Sequence, residues 1–125
     1  MFNYQLAITI NKSIEQQWFT WLSVTHIPEV INTAKTFWDY HVLKLLSPEK
    51  NQDTVTYEIH YVTMTKGELE EYNTNFAQKF LDKHREHYGE NIREITVAQY
   101  EDLTHLTLGE DSPMEDSDKS IIYFI

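Results

Sequence analysis

The chain has no cysteine, only three glycines and three prolines, and half as many basic as acidic residues. Without cysteine there is no disulfide, no thiolate metal site and no thiol nucleophile, and nothing marks a redox compartment. Gly67, Gly89 and Gly109 stand too far apart for G-x-x-x-x-G-K-[ST] or G-x-G-x-x-G, so cofactors held on glycine-rich loops are not expected. Ten Lys and Arg against twenty Asp and Glu give a net charge of −10, with no local basic stripe, which argues against a nucleic-acid partner. No apolar run approaches the roughly 20 residues that span a bilayer, and the opening MFNYQLAITI lacks the basic start of a signal peptide. The expectation is a cytoplasmic protein with no membrane segment.

What is present is a core. With 41% hydrophobic and 14% aromatic residues among 125, the composition is that of one folded domain with a single two-layer interior. Phe2, Tyr4, Leu6, Ile8 and Ile10 alternate with mostly polar neighbours and predict a strand. SIEQ then offers Ser13 as a helix cap with Gln16 three residues on. Ile14, Trp18, Trp21, Leu22 and Thr25 form one helical stripe, predicting a helix from about Ser13 to His26. Pro28 disfavours the helical conformation at Ile27, so PEVINTA is expected as a second short helix set at an angle.

FWDYHVLKLL and TVTYEIHYV, separated by the polar SPEKNQD, predict a hairpin. Thr65 can cap the following helix, whose stripe of Leu69, Tyr72, Phe76, Phe80, Leu81 and His84 ends at Gly89. NIREITVAQYEDLTHLTL returns to a strand pattern. The order β-α-β-β-α-β is the ferredoxin-like α+β unit: a four-stranded antiparallel sheet with helices on one face, over residues 1–108. Residues 109–120 form an acidic linker that carries five acids and one base, −4 of the net −10, leaving −6 for the domain. The segment 121–125, IIYFI, has high β-propensity and is expected to dock as an added strand, on its own sheet edge or a partner's.

Pairing the hairpin symmetrically places Tyr40 opposite His60 and Trp38 opposite Val62. Phe37, Leu43, Leu45, Val55, Tyr57, Ile59 and Tyr61 then face the helices. Trp38, Tyr40, Val42, Lys44, Glu58 and His60 face away. A sheet with helices on one side leaves its other side open, and that mixed face suits a sheet-to-sheet homodimer.

The segments SIEQQWFTWLSVTHIPEVINTAKTF, YHVLKLL and VTYEIHY resemble the bacterial family called domain of unknown function 4286, of the dimeric α/β barrel superfamily, over about residues 1–103. The resemblance implies the ferredoxin-like fold and paired sheets. It supplies no catalytic residues, because the family has no established activity. Related barrel families include cofactor-free monooxygenases, haem-degrading enzymes and isomerases, an analogy of fold alone.

Several residues are candidates for chemistry. His26, at a predicted helix end beside aromatics, could serve as a general base with Glu29 or a tyrosine; the competing reading is a helix cap in a turn set by Pro28. Tyr40, Glu58 and His60 could form a proton-transfer cluster, or a satisfied polar network inside a dimer interface. Trp18, Trp21 and Trp38 could line a pocket for a small hydrophobic ligand, or be plain core. His84 and His87 have the spacing of two metal ligands but lack a third, so no metal is expected. The reading that follows is a non-catalytic dimeric binding or interaction module without cofactor. Its rival is a cofactor-free enzyme, monooxygenase- or isomerase-like, acting on a hydrophobic small molecule with His26 as base.

Overall fold

Alternation in the first segment becomes strand β1, Phe2–Asn11, with Tyr4, Leu6, Ile8 and Ile10 buried. The computed structural model describes residues 1–46 and 52–104; the expected linker 109–120 and segment 121–125 lie outside the described residues. A single 3-10 turn at Lys12–Ile14 leads into α1, Glu15–Trp21, and no side chain caps the start of either, so Ser13 does not play the expected role. A π-helical stretch, Leu22–His26, joins α1 to α2, Ile27–Ala34. Strands β2, Asp39–Lys44, and β3, Thr54–Thr63, form the hairpin. Helices α3, Lys66–Asn75, and α4, Ala77–Tyr88, precede β4, Ile92–Glu101.

The strands lie in the order β2-β3-β1-β4, every neighbouring pair antiparallel. This is the ferredoxin-like arrangement, with β1 and β3 central. Tyr4, Leu6, Ile8 and Ile10 of β1 and Val55, Tyr57, Ile59 and Tyr61 of β3 share a face, and on it pack Trp18, Leu22, Ile27 and Val30 from one helical run and Leu69, Tyr72, Ala77 and Phe80 from the other. Each such aliphatic side chain taken fully from water contributes about 1.5–3 kcal/mol.

Two expectations that bear on the site need correction. Pro28 does not break the helix. In a regular α-helix its ring would press on the carbonyl of Val24. Here the Ile27 N–H instead reaches the carbonyl of Leu22, five residues back, and the widened turn accommodates the proline without a stop. His26 therefore lies inside a continuous helical run and is neither a cap nor a turn residue.

The hairpin register is the second correction. β2 pairs one residue away from the symmetrical arrangement: Tyr40 is opposite Tyr61, His41 opposite His60 and Leu43 opposite Glu58. Because side chains alternate, that single step inverts β2 relative to β3. Tyr40, Val42 and Lys44 lie on the helix side, whereas Asp39, His41 and Leu43 lie on the open side with Glu58 and His60. Lys44 is held there by Glu15 at 2.7 Å, and the same carboxylate accepts the Tyr57 hydroxyl at 2.7 Å. Phe37, ahead of the strand, does reach the core and stacks on Tyr61.

The second helical hairpin starts as expected. The Glu68 N–H donates to Thr65 Oγ1 at 3.1 Å, and the Thr65 N–H donates to Glu68 Oε1 at 3.2 Å, a reciprocal capping box. The single long helix expected here is divided at Phe76, whose backbone leaves the helical region with φ −130°. Gly89 ends α4 at φ +54°, a conformation that favours glycine. Replacing Thr65 with Ala is expected to cost about 1 kcal/mol, read as a lower urea midpoint with an unchanged slope.

Candidate functional site

The place where a ligand would sit between helices and sheet is occupied by the protein's own rings. Trp18 is fully buried on α1, and its indole N–H donates to His84 Nε2 of α4 at 2.8 Å. Because Nε2 accepts, neutral His84 carries its proton on Nδ1. Trp18 also packs on Tyr57 of β3, with ring centres 5.0 Å apart, so one side chain ties α1, α4 and the sheet together.

Trp21, one helical turn on, is the middle of a three-ring stack. It lies 4.6 Å from His26 on one side and 4.6 Å from His87 on the other, nearly parallel to both, while Tyr88 meets it edge-on. Trp21 thereby covers His26, which is 2% exposed. Beyond Trp21, towards solvent, is an open cleft lined by Thr25, Glu29, Lys83, Glu86 and His87, with Glu29 and Lys83 ion-paired across it.

On the inner side of His26 a void of about 10 Å³ remains, lined among others by Tyr4, Tyr61, Tyr72, Phe80 and His84. A void of that size is at the lower limit for one water. Neither His26 Nδ1 nor the Tyr61 hydroxyl, both from residues at its wall, has a protein partner. Burial pushes His26 down to about 4, opposed by the nearby Glu29 carboxylate and reinforced by Lys83 and His87. Burial pushes His84 down to about 3, helped by His26, Arg85 and His87. Burial also raises Tyr61 and takes Tyr4 up to about 12. At neutral pH the site is uncharged: two imidazoles and a set of phenols that can hold hydrogen bonds but are poorly matched to proton abstraction near neutrality.

The other sequence candidates separate. Trp38 is exposed ahead of β2, away from Trp18 and Trp21. Glu58 and His60 are bonded at 2.8 Å on the open face, and Tyr40 lies on the opposite side of the sheet from both. His84 and His87 do not converge on a metal, since one accepts from Trp18 and the other stacks on Trp21. Among the described residues, no group of three or more potential ligands gathers. Sequence reasoning missed Tyr61 and Tyr4 as polar groups at the void. They read as apolar strand positions, and alternation does not reveal where a hydroxyl ends.

Residues 1–98 match the family described as Domain of unknown function (DUF4286). The chain belongs to that family. The comparison with curated proteins gives no match. Among solved structures, this DUF4286 chain is similar to an EthD family protein from Bacillus halodurans, with a TM-score of 0.58 and 13% identity over 82% of this chain and 99% of that one. It is also similar to a protein assigned as an antibiotic biosynthesis monooxygenase from Deinococcus radiodurans, TM-score 0.56 and 14% identity over 82% and 92%. A third is the haem degrader MhuD of Mycobacterium tuberculosis, TM-score 0.55 and 10% identity over 82% and 96%, whose structure holds two haems. These neighbours share the dimeric α/β barrel fold, and at such identities the likeness is one of fold alone.

The buried imidazoles set a pH dependence. Both are depressed in the folded state, so between their ordinary value near 6.5 and about 4 the unfolded chain binds protons that the folded chain refuses. Stability should be full above that window and fall as pH is lowered through it, measured as a lower urea midpoint at pH 5 than at pH 7. Trp18→Phe removes the indole donor and leaves a buried His84 acceptor unpaired, at an expected cost of about 1–3 kcal/mol in the same assay.

Proposed function

We propose that this DUF4286 domain is a non-catalytic interaction module that pairs with a second copy through the open face of its sheet. The observation that carries this reading is the filled interior: Trp18 and its neighbours leave a void of about 10 Å³, against roughly 300–1,000 Å³ in small-molecule sites. The open face is suited to contact. Ala7 and Ala98 keep its middle low. Two of its polar pairs are already made, Thr9 with Thr56 at 2.8 Å and Glu58 with His60, so covering those four side chains breaks no hydrogen bond. Leu43 and Tyr100 add apolar area at opposite margins.

The test is oligomeric state. Sedimentation should give twice the chain mass, and Ala7→Arg, which puts a charge in the middle of that face, should give a monomer with unchanged far-ultraviolet circular dichroism. A dimer that survives the substitution would place the interface elsewhere.

A second reading, a cofactor-free enzyme acting on a hydrophobic small molecule, is favoured by His26 Nδ1 and the Tyr61 hydroxyl, two unpaired polar atoms beside one void. A porphyrin like those held by the haem-degrading neighbour does not fit that void, and His84 Nε2 is taken by Trp18. The readings part under titration with planar phenols followed by tryptophan fluorescence. Saturable binding lost in His26→Ala would favour the enzyme, and no saturable binding is expected of the module.

A further inference from the structure

β2 is an edge strand on which apolar side chains cluster, although it also carries Asp39, His41 and Lys44. Trp38, Tyr40 and Leu43 on and beside it are each about half exposed, and Leu45 just past it is exposed as well. They occupy both faces: Tyr40 lies on the helix side, Leu43 and Leu45 on the open side. The Leu45 N–H donates to the Thr56 carbonyl at 2.9 Å, so by alternation the Val42 and Lys44 N–H groups point to the free edge. Tyr40, the other residue of that parity, has its N–H bonded to its neighbour Asp39 instead. The opposite edge is different: β4 carries Arg93, Glu94 and Glu101, and its pairing with β1 is irregular at Thr9 and Ile10. Charge and irregularity of that kind discourage strand addition.

We propose that residues 121–125 of the same chain, Ile-Ile-Tyr-Phe-Ile, add to the free edge of β2 as a fifth strand. Every side chain of the segment is apolar or aromatic, so it suits an edge with apolar neighbours on both faces; β2 gathers Trp38, Tyr40, Leu43 and Leu45 within eight positions, more densely than the exposed Val97 and Tyr100 on β4. The tether is sufficient. β4 ends beside the first residues of β1, the Asp102 N–H bonding to the Met1 carbonyl, at the same end of the sheet as Asp39. Reaching past β2 means crossing four strand spacings, roughly 19 Å, whereas residues 105–120 extend to roughly 50 Å. A tether of that length holds the segment at high effective concentration near its own edge, which favours the same chain over a second copy.

The test is amide hydrogen exchange on the full chain, comparing the unaltered sequence with Ile122→Asp/Phe124→Asp, substitutions that leave the described core untouched. The Val42 and Lys44 amides should exchange on the order of tenfold more slowly in the unaltered chain, independently of protein concentration. Equal rates in the two chains would overturn the proposal, as would protection that moves to the β4 edge. Protection that fades on dilution would assign the strand to a second copy and overturn the same-chain assignment. The sheet-face dimer of the preceding section is unaffected by any of these outcomes, since Ala7→Arg reads a different surface.

Discussion

The hydrogen bond from the Trp18 indole to His84 joins the two helical layers at the centre of the molecule, and much of the interior is arranged around it. A buried imidazole would be costly if left unpaired, and a buried indole N–H equally so. Each satisfies the other at 2.8 Å, and both then behave as large apolar plates. Tyr57 and Trp21 pack on this pair, His26 and His87 pack on Trp21, and the space between sheet and helices closes. In this chain the space between sheet and helices is filled by its own side chains.

That arrangement depends on a local backbone detail. The π-helical stretch adds one residue to the turn between Trp21 and Ile27, and it does so next to Pro28, whose ring would otherwise collide with the preceding turn. The extra residue brings His26 beneath the Trp21 ring, on the buried side of the helix. In that position the imidazole loses water, its affinity for a proton falls, and it is held neutral between a tryptophan and a tyrosine-lined void. The same environment screens it from solvent.

Polarity is distributed outside in a complementary way. The open face of the sheet carries the bonded pairs Thr9–Thr56 and Glu58–His60, the β4 edge mixes charge with exposed Val97 and Tyr100, and the densest exposed apolar surface is at β2. A net acidic domain with these three different margins has a defined orientation for its contacts, although its interior offers little room for a guest. Surface, more than cavity, is where this molecule differs from one part to the next.

Much of the fold was legible in the residues themselves. The alternation of Phe2 to Ile10, the stripe through Trp18 and Leu22, the Thr65 cap and Gly89 are local signals, because each depends on neighbours within a turn or a strand. Element order, and with it the ferredoxin-like topology, follows from those. The candidate site was not legible in the same way. The hairpin register turned on a single residue, and alternation makes such a step reverse a whole strand, so Tyr40 parted from Glu58 and His60. Pro28 read as a stop and became a widened turn, because continuing the helix buries Leu22, Ile27 and Val30 together. The pairing of Trp18 with His84, sixty-six positions apart, and the meeting of His26 with Tyr61 are products of packing between layers. The sequence by itself determined periodicity, the Thr65 cap, charge and the order of elements along the chain, all properties of short range; which polar atoms are buried, and whether a pocket remains, was decided only when the helices closed on the sheet.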